Sequence, residues 1–254
     1  MLTVTESQLL AWSNPLLWPL LRALALFSAM PVLGMRSGVP VRVRVGLALL
    51  IAVASQASLP AMPVLRLDGP EAFLAVVQQI VVGVALGFAV RIVFAAVEFA
   101  GELVGLQMGL NFAGFFDPAS GGQATATSRF FGTTVAFLFV VINGHLLVVA
   151  ALVQSFHAFP VGGEPLALLR MLRPERWGGE IFALGLWIAL PLVAMLLFVN
   201  LVLGIISRVA QQMNIFAIGF PITLGVGLTG LLMTLPLMQG PFTMALERML
   251  LQFQ

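Results

Sequence analysis

The chain is a succession of long uncharged apolar stretches separated by short polar segments. Uncharged runs cover 45–65, 72–90, 130–163, 181–207 and 209–246, each at or above the roughly 18 residues at which a membrane helix becomes the natural reading. Residues 9–33 are apolar apart from Arg22, and 103–116 form a short apolar piece that continues the 72–97 helix. The pattern predicts about six or seven helices. As one straight helix the 209–246 run would reach about 57 Å against a hydrocarbon core of about 30 Å. It must therefore kink or stop, and Gly219-Phe220-Pro221 and the Pro236, Gly240, Pro241 cluster are the places to do so. Asn143 and Gly144 interrupt 130–163 in the same way.

Polar segments are few: 35–44 with three Arg, 66–71, 117–129 and 161–180, the last holding six of the 22 formal charges. Paired glycines at 162–163 and 178–179 mark its ends, so it is the best boundary between an amino-terminal block and a carboxy-terminal helical hairpin. The positive-inside rule places both Arg36/Arg42/Arg44 and Arg170/Arg173/Arg176 on the cytoplasmic side, which demands an even number of crossings between them. The runs at 45–65, 72–97 and 130–163 supply three, because 98–116 is short, glycine-rich and carries two acids. Simple topology is strained, as it is when some helices do not span lipid.

Composition defines the surroundings. Of 254 residues 60% are hydrophobic and 9% charged, against roughly a quarter charged in a soluble domain, and the mean hydropathy is +1.08. A water-soluble globule is excluded, and the outer surface must meet lipid, other chains, or both. The sequence pI of about 11.0 implies no basic patch. The chain has no Lys, Tyr or Cys and a net charge of only +2, so a small excess of Arg moves the neutral point far upward. Nucleic acid is not an expected partner. The absence of Cys removes disulfides and thiolate ligands. The amino terminus carries Glu6 and no base ahead of Pro15, Pro19 and Arg22, which is not the pattern of a cleaved signal peptide.

Candidate chemistry is sparse. Arg91, Glu98 and Glu102 fall within roughly 40° on a helical wheel and form one charged stripe. Such groups are costly against lipid, so the stripe is expected to be buried against protein or a watery cavity. It reads either as a proton or ion relay or, preferably, as an ion pair or inter-subunit anchor. Gly101, Gly105 and Gly109 repeat at i, i+4, i+8 on the same stretch, and Gly83 and Gly87 repeat the spacing earlier; small residues so placed let another backbone approach. His145 and His157 lie twelve residues apart, about 120° on a helix, with no further ligands at metal spacing; a structural role suits each. No nucleotide loop, nucleophile elbow or H-E-x-x-H is present, so neither an enzyme, a metal nor a cofactor is expected.

The most unusual stretch runs from Gly109 through Asn111, Phe112, Gly114, Phe115, Phe116, Asp117 and Pro118 to Gly121-Gly122. Its glycines and proline oppose regular helix. Aromatics on an irregular loop are costly in water, and lipid does not tolerate the loop's unpaired backbone, so the loop belongs inside protein or lining a cavity. From these residues alone it is equally a hydrophobic constriction or a re-entrant anchor.

At these positions the chain resembles the R subunits of the type III secretion export gate, the family of FliR, SpaR and YscT. The resemblance rests on Gly101-Glu102-Leu103-Val104-Gly105-Leu106-Gln107-Met108-Gly109 running into Phe115-Phe116-Asp117-Pro118-Ala119-Ser120, and on Asn143-Gly144-His145. It rests also on Phe156-His157 followed by Pro160-Val161-Gly162-Gly163-Glu164-Pro165, on Gly219-Phe220-Pro221, and on the opening Trp18-Pro19-Leu20-Leu21-Arg22. The blocks stand in family order across essentially the whole chain.

The resemblance implies an all-α membrane protein of bent helical hairpins, one subunit of a helical export-gate ring. A P-like part with a pore loop would cover 1–175 and a Q-like helical hairpin 176–254. Asn111, Phe112, Phe115, Phe116, Asp117 and Pro118 map onto the loop that plugs the closed pore, which tips the loop toward constriction. The implied partners are P-like and Q-like subunits (FliP and FliQ), FlhB and FlhA, unfolded secreted proteins and membrane lipid. The implied site is the bacterial inner membrane at the flagellar basal body. The rival readings are the equivalent injectisome subunit and a small-solute transporter built on the Arg91, Glu98, Glu102 stripe.

Overall fold

The computed structural model describes residues 6–34, 38–66, 68–110, 125–163, 176–210, 212 and 215–253. Eight α-helices are described: α1 (Glu6–Ala29), α2 (Val41–Ala54), α3 (Pro70–Gln107), α4 (Ala126–Val141), α5 (Gly144–Ala158), α6 (Trp177–Val209), α7 (Ile215–Thr234) and α8 (Gln239–Leu250). Short 3-10 turns lie at Gln56–Ser58, Leu235–Met238 and Leu251–Phe253, and no strand occurs among the described residues. The fold is all-α, and three stretches are long and apolar enough to cross a membrane: Pro70–Gln107, Trp177–Val209 and Ala217–Phe253. The pair Ala126–Val141 and Gly144–Ala158 makes a fourth if the two count as one broken span.

Proline and glycine decide where these helices end. The 45–65 run, long enough on paper to span lipid, yields only the 14-residue α2, about 21 Å long. Beyond Ser58 Leu59 is extended and residues 60–66 form no regular element, because Pro60 and Pro63 each remove a helical donor and bias the residue before them toward extended backbone. α3, by contrast, runs unbroken for 38 residues and absorbs the piece read as its continuation. Asn143 adopts a left-handed conformation at φ 57° between α4 and α5, a region that Asn visits more readily than other side chains. Pro221 does not break the carboxy-terminal run. It sits in the second turn of α7, and the break comes instead at the 3-10 turn holding Pro236.

The chain forms two compact units. The first comprises Met1–Ile92, Asn143–Trp177 and Leu246–Gln254. Its centre is Trp18, Ala75 and Phe156, ringed by Leu17, Leu21, Leu59, Met62, Leu65, Val76 and Val161. α1 and α3 meet through small residues. A Cβ on Gly83 would stand 2.7 Å from that of Ala25, and one on Gly87 would stand 2.7 Å from that of Ala29. Both separations are shorter than two carbons tolerate, so only glycine lets the helices lie this close. Phe253 is fully buried, its ring 6.3 Å from Trp177, whose indole donates to Gln252 at 3.2 Å.

The second unit comprises Val93–Ile142 and Gly178–Ala245. Phe94 packs edge-on against Phe139 and Phe242 at 5.6 and 5.7 Å, and Phe99 against Phe182 at 5.2 Å, the tilted geometry that ring quadrupoles favour. Gly185 sits on the Ala96 carbonyl and Gly227 on the Met108 side chain. Burial is uneven: 61% of the most apolar window in α3 is covered by the chain itself, but only 22% in α6 and 28% in Ala217–Phe253. Leu186, Trp187, Leu190, Leu197, Phe198 and Leu201 stand exposed on α6, so these helices complete their packing against something other than this chain.

Candidate functional site

The residues expected to form a plug, Asn111, Phe112, Phe115, Phe116, Asp117 and Pro118, lie outside the described residues, but both stems of that loop are described. On the incoming side α3 closes with Met108 N–H donating to Val104 O at 2.9 Å and Gly109 N–H to Leu106 O at 3.1 Å. Gly109 then takes φ 80°, the left-handed turn that ends many helices and that a Cβ would oppose. On the outgoing side Thr125 caps α4, its hydroxyl oxygen accepting from Ser128 N–H at 3.2 Å.

Gly101 and Gly105 bring the stems together. A Cβ on Gly101 would stand 2.9 Å from both Ser128 Cα and Thr127 O, and one on Gly105 would collide with Thr127 Oγ1. Ser128 Oγ also donates to Glu98 O at 3.1 Å. The two stems are thus held in direct contact, forming a neck at Gly101 and Gly105. Around it, the Asn200 amide donates to Gln107 O at 3.4 Å, and the Thr223 hydroxyl lies 3.4 Å from Met108 O. Gln107, Asn200, Ser207, Phe220 and Thr223 line a cleft of about 370 Å³ here.

By register α3 carries Arg91, Glu98 and Glu102 on one face, but on this chain Arg91 and Glu98 are exposed and Glu102 is half-buried. The described residues of the chain do not supply the burial expected of the stripe, although the closely packed Gly87 and Gly105 fall within about 20° of Glu98 on the helical wheel. Glu98 does lie along α4, where a Cβ on Gly132 would come within 3.1 Å of its Oε1. His145 and His157 are exposed on α5. Among the described residues no group of three potential metal ligands assembles.

The densest polar constellation is one that the sequence pattern showed only as a blemish in an apolar stretch. Arg22, in the middle of α1, is fully buried. Its Nε donates to Gln79 Oε1, Nη1 to Ser155 Oγ and Nη2 to Phe159 O, each at 2.8 Å, and its Cζ lies 3.6 Å from the centre of the Phe156 ring. Gln78, also buried, donates to Pro160 O at 2.9 Å and accepts from Gly162 N–H at 3.0 Å. The planar fork of an arginine suits three such acceptors, and the aromatic face helps to offset the loss of water. The result is a hub tying α1, α3, α5 and the turn after α5. Its one hydroxyl, Ser155 Oγ, accepts from Arg22 and donates to Leu152 O at 2.7 Å, so the described contacts are those of a fixed scaffold. The signal that would have found it is the pair Gln78-Gln79 in the 72–90 run, polar groups that in an apolar helix must face protein.

Comparison with known proteins shows the family of the chain. Residues 14–249 match the model of the family described as bacterial export proteins, family 1. The chain is 48% identical over 242 residues to the flagellar biosynthetic protein FliR of Escherichia coli (strain K12), covering 95% of this chain and 92% of that protein. It is 41% identical over 239 residues to the protein of the same name from Pectobacterium carotovorum subsp. carotovorum, covering 93% and 90%. Identity to that of Bacillus subtilis (strain 168) is 28% over 239 residues, covering 90% of each.

Proposed function

Because this chain belongs to the bacterial export proteins, family 1, together with the flagellar biosynthetic proteins FliR, we propose that it is the R-type structural and gating subunit of the flagellar type III export channel in the bacterial inner membrane. Its P-like part, 1–175, would contribute the loop at 111–118 to a shared axis, and its Q-like hairpin, 176–254, would pack beside related helical hairpins. Unfolded flagellar proteins would pass through the pore, with Phe112, Phe115 and Phe116 closing it at rest by bulk and by excluding water. The subunit conducts and does not catalyse. FliP- and FliQ-type chains, with FlhB and FlhA, are the proposed partners.

The neck at Gly101, Gly105, Thr127 and Thr125 carries this reading. It joins the two ends of the loop at one place on a well-packed base, which supports a loop that projects as a unit. The names of the related proteins favour a flagellar over an injectisome role. Replacing the three phenylalanines by Ala, or deleting 112–118, is expected to raise ion conductance of the assembled complex in planar bilayers at least several-fold. Conductance equal to that of the unaltered complex would remove the plug assignment while leaving the family assignment intact.

A further inference from the structure

α2 is too short to cross a bilayer and too apolar to lie in water. Its 14 residues rise about 21 Å, against about 30 Å of hydrocarbon. Only Ala48 and Ala52 are buried by the chain, whereas Val41, Val43, Val45, Leu47, Leu49, Leu50 and Val53 are all exposed. An interfacial helix lying flat would carry polar residues along one side. This one carries them at one end: Arg42 and Arg44 occupy the first turn, no acid accompanies them, and every later position is apolar or Gly.

Arg42 is exposed. Arg44 folds back so that Nη2 donates to Val39 O at 2.8 Å, which holds its guanidinium at the same end of the helix. Its Nε is enclosed and finds no acceptor among the described residues. The end of α2 therefore offers two positive charges with donors to spare, above a cylinder of bare aliphatic side chains.

We propose that α2 is a binding site for an acidic phospholipid, whose headgroup phosphate takes the donors of Arg42 and Arg44 while its acyl chains cover the exposed Val and Leu side chains. The helix stands in one leaflet like a post, with its basic end at the phosphate level. Guanidinium and phosphate make a strong charge-assisted pair, and a zwitterionic headgroup answers it less well because its own ammonium is close by. This inference rests on membrane residence and not on the pore-loop reading, so the two fail separately.

The test uses the protein as extracted in mild detergent with whatever assembles around it. Native mass spectrometry after addition of phosphatidylglycerol or phosphatidylcholine reads retained lipid for the unaltered protein, R42Q, R42Q/R44Q and R42K/R44K. The expected result is preferential retention of phosphatidylglycerol, reduced by about thirtyfold in R42Q/R44Q on the basis of the usual worth of about 1 kcal/mol for each basic residue at an anionic surface, and largely kept in R42K/R44K. R42Q leaves the Arg44 bond to Val39 intact, so a loss there reports binding and not folding. A photo-crosslinker placed at Leu50 gives the independent reading, a lipid adduct. Equal retention of both lipids, retention unchanged in R42Q/R44Q, or a crosslink only to another polypeptide overturns the proposal.

Discussion

Arg22 shows how much one side chain can organise in a protein with so few charges. Its guanidinium satisfies three acceptors from two other helices and a turn without meeting a carboxylate. Removing it would leave Gln79, Ser155 and the Phe159 carbonyl short of a donor in a site closed to water. Arg22→Ala is accordingly expected to destabilise the protein by about 3 kcal/mol or more, since each of three buried neutral acceptors left without its donor costs about 1–3 kcal/mol. Arg22→Lys should recover only part of this, since an ammonium presents a point charge where a flat fork is needed. Thermal unfolding in detergent, followed by the yield of monodisperse protein, checks both. At this scale the sequence was a poor guide: a lone Arg between apolar neighbours is indistinguishable from an interruption until Gln78, Gln79 and the turn after α5 are brought beside it. The glycines were easier. Gly83, Gly87, Gly101 and Gly105 recur at helical spacing, and each sits where a Cβ would meet another helix, although the spacing alone does not name the helix it meets.

At the scale of elements, boundaries followed the backbone chemistry of individual residues more than hydropathy. The break between α4 and α5 was legible in Asn143-Gly144, and Asn143 holds the positive φ. Asn143→Gly should preserve the break and the stability of the protein within a few tenths of a kcal/mol. Asn143→Val should cost about 1–2 kcal/mol, because a β-branched side chain crowds the carbonyl in the left-handed region; comparison of the two variants by thermal unfolding isolates the backbone effect. α2 was overestimated because an uncharged run ignores Pro60 and Pro63. Of the two places offered for a kink or stop in the carboxy-terminal run, the helix ends at the one holding Pro236, while Pro221 lies inside α7. The loop at 111–118 was conspicuous for its aromatics, yet its stems were not, since the capping of Thr125 and its closeness to Gly105 depend on a tertiary contact.

For the whole molecule, the decisive quantity is apolar surface left uncovered. α6 and the α7–α8 stretch bury about a quarter of their most apolar windows within the chain, and a lone subunit would have to fill the rest with lipid or detergent. The proposed role in a shared channel assigns much of it to neighbouring subunits. Extraction in mild detergent is therefore expected to yield this chain together with P-like and Q-like proteins, seen as one complex by intact mass. Recovery as a well-folded single chain, at the same yield with or without the genes for those proteins, would contradict the channel role. That many helices would not simply cross lipid was readable from the conflict between Arg-rich segments and the count of runs. Which surfaces remain bare was not, because hydropathy does not say what an apolar side chain touches.

The hub at Arg22 also constrains how the protein is made. Its Ser155 partner follows it by 133 residues, so at a synthesis rate of about 5–20 residues per second the partner emerges roughly ten seconds later. Until then α1, which is not one of the stretches long and apolar enough to cross a membrane, carries Arg22 without the acceptors that it meets in the fold. α1 should therefore settle only when α5 arrives, which makes completion of this part of the fold a late, concerted event.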